Sequence, residues 1–262
     1  MLRALYTAAT GMQAQQTNID TIANNIANVN TTGFKQGRAE FQDLLYQNIR
    51  PAGTASSAST TFPVGLQIGL GTRPVATDRI FRQGDMRQTE NPLDLVIEGK
   101  GFFQVRLPNG ELGYTRDGSF HRTAEGILAT VDGNPLEPQI TIPADADTVT
   151  IGKDGTVTVT TAGSSTAQQI GTIQLANFQN PSGLNAMGGN LFSASAASGD
   201  PLTGNPGENG LGNVNQGFLE QSNVSVVEEM VNMIVAQRAY EVNSKAVRVA
   251  DDMLSQINNL VR

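Results

Sequence analysis

Few residues in this chain are of types that could do catalytic chemistry. Histidine occurs once, at His121, and cysteine does not occur, so a multi-histidine metal site would need several chains and a thiol nucleophile is excluded. We expect His121 to be a solvated strand or turn residue. Asp145 and Asp147 resemble the start of a calcium loop, but the glycine and glutamate that should follow at EF-hand spacing are missing. We interpret them as solvated loop carboxylates.

The stretch Gly99-Lys100-Gly101 is the one glycine pattern that suggests a nucleotide loop. It lacks the third glycine and the following helix of a dinucleotide-binding loop, and it continues into a strand-like Phe102-Phe103. We therefore interpret it as a turn. No catalytic, cofactor-binding or metal-binding residue is predicted, and we expect a protein that is not an enzyme and has no small-molecule substrate.

Charge and hydropathy exclude further classes. The net charge of the 262 residues is −7 with a pI of about 4.7, and no Lys/Arg cluster is present to follow a phosphate backbone, so we expect no nucleic-acid partner. Nowhere do 18 apolar residues run together, which predicts no membrane insertion. The N-terminus lacks the basic region and compact apolar core of a signal peptide, so any export is expected to proceed without a cleaved signal.

The elements that dominate the pattern lie at the two ends. Residues 222–262 read as one helix of roughly 35 residues, about 50 Å long, which starts at a capping box formed by Ser225 and Glu228. Its apolar or small residues recur in steps of three and four, the period of a coiled-coil seam. The predicted seam consists of Val231, Val235, Ala239, Val242, Ala246, Val249, Met253 and Leu260.

The N-terminal 30 residues show the same period. The predicted seam consists of Leu2, Leu5, Ala9, Met12, Ile19, Ala23, Ile26 and Val29. Many Thr and Asn residues lower the intrinsic helicity, and only Arg3 and Asp20 are charged before Lys35, so we expect a helix that orders when packed. Gly33 suits a left-handed stop, with Phe34 folding back on Val29. The alternative is a helical hairpin that completes an ordinary monomer.

Between the ends the pattern is that of β-structure. Residues 148–151 and 156–160 alternate valine or isoleucine with threonine across a glycine-containing turn and predict a hairpin. Residues 51–63 carry no charge and read as a linker or extended loop, and residues 181–217 read as irregular covering structure. The fold class is therefore α+β: long N- and C-terminal helices pair as a coiled coil, and a mainly antiparallel β-domain lies between them in the chain.

Two stretches resemble the end signatures of the flagellar axial proteins, the rod, hook and hook-associated family. These are NNIANVNTTGFK at 24–35 and EEMVNMIVAQRAYEVNSKAV at 228–247. Within that family, residues 41–47, 65–69, 72–76, 101–105 and 114–120 are similar to the members that build the distal rod. The residues taken as the family signature are Asn25, Ala27, Asn28, Gly33, Phe34, Gln237, Arg238, Tyr240 and Asn243.

The resemblance implies a structural subunit of the distal rod, which polymerises into a helical tube around the export channel and transmits torque from motor to hook. It implies as partners other copies of the chain, proximal rod proteins, the hook protein, the P and L ring proteins and the type III export apparatus, with a location in the periplasmic rod of the basal body. It also makes residues 47–67 an extended arm. Two alternatives stay open: a proximal rod or hook protein, or a β-domain binding module on a helical stalk outside the flagellum.

With the resemblance, the expected organisation has four parts. Residues 1–46 form the N-terminal coiled-coil helix and the start of a connector, and 47–100 form the arm and a β connector. Residues 101–214 form a β-rich outer domain, and 215–262 form the C-terminal coiled-coil helix. No cofactor is expected.

Overall fold

A computed structural model describes residues 2–54, 61–161 and 166–260, and within it the chain forms two compact units. Unit 1 contains residues 1–27, 37–78 and 225–262, and unit 2 contains residues 28–36 and 79–224. The class is α+β, as predicted: one helix lies at each end of the chain, and antiparallel strands lie between them.

Unit 1 contains the two helices and two pairs of strands. Its elements are α1 Leu2–Ala27, β1 Gly37–Asp43, β2 Tyr46–Arg50, β3 Leu66–Gly69, β4 Thr72–Arg79 and α2 Val226–Leu260, with Arg79 itself counted in unit 2. Helix α2 begins directly after Ser225, where the capping box predicts it, and Glu228 and Glu229 in its first turn favour the positive end of the helix dipole. Helix α1 ends at Ala27, so Val29 lies beyond it.

The strands of unit 1 form two ribbons. Strand β1 pairs with β4, and β2 pairs antiparallel with β3, with Gln47 opposite Ile68. Backbone bonds from Gly53 to Phe62 and from Phe62 to Thr54 continue the β2–β3 ribbon into the stretch that composition suggested was a linker. Residues 55–60 of that stretch lie outside the described part of the chain.

Unit 2 is built almost wholly from short strands. They are β5 Met86–Gln88, β6 Leu95–Glu98, β7 Phe102–Arg106, β8 Leu112–Thr115, β9 His121–Arg122, β10 Leu128–Ala129, β11 Ala146–Ile151, β12 Thr156–Thr161, β13 Gln168–Thr172, β14 Leu175–Asn177, β15 Asn185–Gly188, β16 Leu191–Ser193, β17 Leu202–Gly204, β18 Asn213–Gln216 and β19 Phe218–Glu220. A 3-10 turn spans Pro181–Gly183. The largest sheet has the order β15-β16-β8-β7-β14-β17, beside a three-stranded sheet β11-β12-β13 and the pairs β5–β19, β6–β18 and β9–β10.

Two apolar clusters hold unit 2 together. The larger joins buried aliphatic side chains of β6, β7, β11, β12, β14 and β18 with the edge-to-face pair Phe103–Phe120. The smaller is aromatic, with Phe102, Phe178 and Phe192 among its members. Because aromatic rings bury large areas and favour edge-to-face contacts, these clusters stabilise strands that are only two to six residues long.

The hairpin predicted at 148–160 is confirmed. Ile151 pairs with Val157 and Val149 with Val159, and Ile151, Val157 and Val159 are buried while the threonines face outward. A bulge between Ala146 and Thr148 shifts the register at its open end. The alternation of β-branched apolar and polar residues is strong enough to predict both the pairing and the buried face.

The prediction that residues 181–217 are irregular is wrong, because β15, β16, β17 and β18 fall there. These strands are rich in Gly, Asn and Ser and have weak strand propensity. They form because their backbone groups find partners that are distant in sequence: β16 pairs with β8, β17 with β14, and β18 with β6. Phe192 on β16 adds an anchor in the aromatic cluster.

Candidate assembly surface

Helices α1 and α2 pack against each other in antiparallel register. Asn25 Nδ2 donates to Glu229 Oε2 at 3.1 Å, and a Cβ on Gly11 would lie 2.9 Å from Asn243 Nδ2. The residue numbers of each pair, 25 with 229 and 11 with 243, add to 254, so one register relates both contacts. The contacts are 14 residues apart on each helix, which is two heptads.

The contact uses a stripe of small and polar residues. Asn25 is buried, and its side chain also donates to the carbonyl of Gly37 and accepts from its N–H, at 2.8 and 2.9 Å. It therefore ties the last turn of α1 to β1 as well as to α2. Other buried or half-buried residues recur on the two helices in steps of three and four; they are Ala8, Gly11, Gln15, Asn18 and Ile22 on α1, and Met233, Ala236, Asn243, Val247, Ala250 and Leu254 on α2.

The predicted seam residues of α2 lie mainly on another stripe. Val231, Val235, Val242, Val249 and Met253 are 50–64% exposed, Ala246 is exposed, and Ala239 is half-buried. The side chain of Leu260 is outside the described part of the structure. The contact between α1 and α2 thus uses the stripe next to the predicted seam, and a role of the seam residues in self-assembly stays a prediction.

The predicted seam of α1 is divided in a similar way. Ala9 and Ala23 are exposed, and Leu5, Met12, Ile19 and Ile26 are half-buried. Val29 is half-buried in the turn that follows α1, in unit 2, and the side chain of Leu2 is outside the described part. The face of α1 that carries Ala9 and Ala23 is free of charge and offers close approach to a neighbouring helix.

The exposed stripe of α2 is unusually apolar for a solvated surface. Monomeric proteins rarely expose contiguous apolar patches, and such patches commonly mark interaction sites. The exposed apolar residues of this helix are Val226, Val227, Met230, Val231, Ile234, Val235, Tyr240, Val242, Val249, Met253 and Ile257. By the register of 254, residue 2 of α1 faces residue 252, so the last eight residues of α2, about 12 Å of helix, extend past the end of α1.

The β2–β3 ribbon exposes a second apolar surface. Leu45, Tyr46, Ile49, Leu66 and Ile68 are between 37 and 84% exposed. The Arg50 guanidinium lies 3.6 Å from the centroid of the Phe62 ring and stacks over it. The ribbon falls within residues 47–67, which the resemblance interprets as an arm.

The signature residues serve different parts of the fold. Gly33 has φ +68°, the left-handed conformation expected of it, but its N–H donates to the carbonyl of Glu220 rather than to a helix carbonyl. Phe34 is buried, with the Arg79 guanidinium 5.6 Å from its ring centroid. The side chain of Asn28 accepts a bond from Thr31 Oγ1. Of the others, Ala27, Gln237 and Tyr240 are exposed, and Arg238 is exposed and pairs with Glu241 at 2.9 Å.

Sequence reasoning missed a buried polar group in unit 2. Lys35, Glu220 and Asn223 are each at most 8% exposed, and we call these three residues the clamp. Lys35 Nζ lies 2.6 Å from Glu220 Oε1, and Arg116 Nη1 lies 3.4 Å from Glu220 Oε2. Burial lowers the pKa of Lys35 and of Arg116, whereas the charge of Glu220 acts in the opposite direction on both. The one signal in the sequence was Lys35 itself, a charge directly after the apolar Phe34.

The residues that could have indicated chemistry lie in ordinary surroundings. His121 is exposed on β9, opposite Ala129, and Gly99 and Gly101 lie in the turn between β6 and β7, as predicted. Asp147 is exposed on β11. In the described ranges, no three His, Asp or Glu side chains are grouped so that they could hold a metal. No helix in the same ranges is both long and apolar enough to span a membrane.

Long apolar helices at both ends, with β-structure between them in the chain, define the class of axial structural proteins, and comparison with known families agrees. Residues 5–35 match the family model "Flagella basal body rod protein", 96–159 match "Flagellar hook protein FlgE/F/G D1 domain", and 215–260 match "Flagellar basal body rod FlgEFG protein C-terminal". The crystal structure of the Helicobacter pylori hook protein FlgE2 gives a TM-score of 0.25 at 13% identity, covering 71% of this chain and 43% of that one, too low to support an argument.

Full-length relatives identify the family. The chain is 51% identical over 264 residues to the flagellar basal-body rod protein FlgG of Borreliella burgdorferi, covering 100% of both chains. It is 49% identical over 260 residues to FlgG of Buchnera aphidicola from Schizaphis graminum, covering 99% of this chain and 100% of that one. It is 41% identical over 267 residues to FlgG of Bacillus subtilis, covering 100% of both. The chain belongs to the FlgG family of flagellar basal-body rod proteins. It is a self-polymerising structural subunit of the rod in the basal body, not an enzyme.

Proposed function

We propose that this chain builds the distal rod: copies polymerise into a helical tube that encloses the export channel and transmits torque from the motor to the hook. The rod would stand in the periplasm, with proximal rod proteins, the hook protein and the P and L ring proteins as neighbours. Delivery by the type III export apparatus, without a cleaved signal, stays a prediction of the resemblance.

One observation carries the proposal: α2 has an apolar stripe left over after it has packed on α1. A helix with one neighbour needs one apolar stripe, and a second stripe calls for further neighbours. Because all copies expose the same stripe, packing of α1 and α2 against other copies buries it around the tube. We further propose that α1 and α2 form an antiparallel coiled coil, which the two-heptad spacing of their contacts supports.

The β2–β3 ribbon supports an arm at residues 47–67. A two-stranded ribbon with exposed apolar residues is marginally stable alone, because little of its surface is buried. Packing of its apolar residues against a neighbouring copy would stabilise it. We therefore propose that the arm contacts adjacent subunits and stiffens the rod.

The proposal is tested by placing a charge on the exposed stripe. Val249 is 51% exposed, so Val249→Asp should change the stability of the free chain by no more than about 0.5 kcal/mol. In the tube it would bury an unpaired carboxylate, which costs several kcal/mol. We expect no rods in basal bodies viewed by electron microscopy and no motility in soft agar, with an unchanged unfolding midpoint of the purified chain.

The matched control is Val131→Asp, because Val131 is 69% exposed on unit 2. We expect this variant to assemble rods normally. Normal rods from Val249→Asp would show that the exposed stripe of α2 is not an assembly surface. Loss of rods from both variants would show that the effect is not specific to the helix.

A further inference from the structure

Asn223 joins three segments of unit 2 that are far apart in the chain. These are residues 33–36, 79–85 and 219–224. Asn223 Oδ1 accepts from the Gln36 N–H at 2.7 Å, and Nδ2 donates to the carbonyls of Ile80 and Arg82 at 2.8 and 3.0 Å. One side chain thus uses its acceptor on the first segment and both donors on the second.

Lys35 and Glu220 join the same three segments a second time. Lys35 Nζ donates to the Arg82 carbonyl at 2.9 Å as well as to Glu220. Glu220 Oε1 also accepts from the Gly84 N–H at 2.9 Å, and the Glu220 carbonyl accepts from the Gly33 N–H at 2.8 Å. The Ile80 N–H donates to the Gln36 carbonyl at 2.9 Å. Since these groups are buried, breaking one bond leaves a polar atom without water to replace its partner.

The three segments have a special position in the chain. Unit 1 is joined to unit 2 by four peptide links, at 27/28, 36/37, 78/79 and 224/225. The first two belong to the segment 28–36, the third to the segment that starts at Arg79, and the last to the segment that ends at Val224. Every link to α1, to the strands β1–β4 and to α2 therefore starts from a segment that the clamp holds.

We infer that Lys35, Glu220 and Asn223 fasten these segments into one cooperative joint, which opens and closes as a whole. A force applied to any of the four links is then shared among three segments and passed to the core of unit 2. The inference concerns the isolated chain and does not depend on rod assembly; its mechanical meaning in the rod rests on the proposed function.

Hydrogen exchange of the purified chain tests the joint. Asn223→Ala removes three bonds, and loss of even one typical bond shifts an opening equilibrium by about fivefold. We expect the amides of Gly33, Gln36 and Ile80 to exchange at least about tenfold faster, all by the same factor. The amides of Phe103 and Val105 in the core strand β7 should keep their rates.

Two further variants make the result decisive. Lys35→Met leaves Glu220 paired with Arg116, and it should speed the same three amides together although it removes no bond to Gln36. Asn215→Ala removes a single bond, from Asn215 Nδ2 to Glu98 Oε2 at 2.9 Å, and should leave them unchanged. If Asn223→Ala speeds only the Gln36 amide, the segments open independently and the inference is wrong.

Discussion

Replacing Gly33 with alanine should destabilise unit 2 for two separable reasons. The residue has φ +68°, where an L side chain is strained. The added Cβ would also lie 2.7 Å from both the carbonyl carbon of Arg116 and the nitrogen of Asp117. These are backbone atoms, so the overlap cannot be relieved by rotating a side chain.

A second glycine separates the two costs. Gly110 has φ +85° and nothing within 4 Å of the position its Cβ would take, so Gly110→Ala pays only the conformational cost of about 1 kcal/mol. Gly33→Ala adds the overlap, which forces a backbone shift costing about 1–3 kcal/mol. Any change in the entropy of the unfolded chain is the same in both variants.

Calorimetric unfolding of the two purified variants measures the difference. In a domain of about 150 residues, 1 kcal/mol corresponds to roughly 2–4 °C in Tm. We expect Gly110→Ala to lower the Tm of unit 2 by about 3 °C and Gly33→Ala to lower it by about 5–15 °C. Equal shifts would refute the reasoning, because they would mean that the backbone beside Gly33 yields without cost.

Two further predictions concern helix register and pH. Because the chain has no cysteine, Gln15→Cys with Ala239→Cys, which lie on the register of 254, should form a disulfide in the dilute chain. Gln15→Cys with Ala246→Cys is displaced by one heptad, about 10 Å, and should not; equal yields would contradict a single register. Burial raises the pKa of Tyr114 above its ordinary value of 10.0, so the unfolded chain loses that proton first and stability falls as the pH rises above about 10. Tyr114→Phe should make Tm against pH flatter than in the original chain, whereas Tyr46→Phe, at a solvent-exposed position, should not; identical slopes in all three proteins would show that Tyr114 is not the group responsible.

The helices illustrate how far periodicity goes. The 3.5-residue repeat and the capping box predicted two long helices and placed the start of α2 within the first turn. On α2, however, the repeat supports two neighbouring stripes, 229–254 and 231–253, and sequence alone favoured the more apolar one. The stripe that contacts α1 contains Glu229 and Asn243, because the Asn25 amide and the notch at Gly11 provide partners for them.

The clamp and the short strands of unit 2 show a second limit. In the sequence Lys35 and Glu220 look like solvated charges, and residues 185–204 look like a loop. In the fold Lys35 and Glu220 are buried against each other, and residues 185–204 contribute strands to a six-stranded sheet. Neither result depends on local propensity, since each needs partners between about 70 and 185 residues away.

The sequence by itself determined the α+β class, the two terminal helices, the hairpin at 148–160 and, through its end signatures, the flagellar family. These depend on periodic burial, capping and turn chemistry, which act over a few neighbouring residues. Only the tertiary structure decided which stripe of α2 packs on α1, which weak strands form and which charges are buried. Those choices depend on the free energy of contacts between distant segments, and a pattern read along one stretch of chain does not contain it.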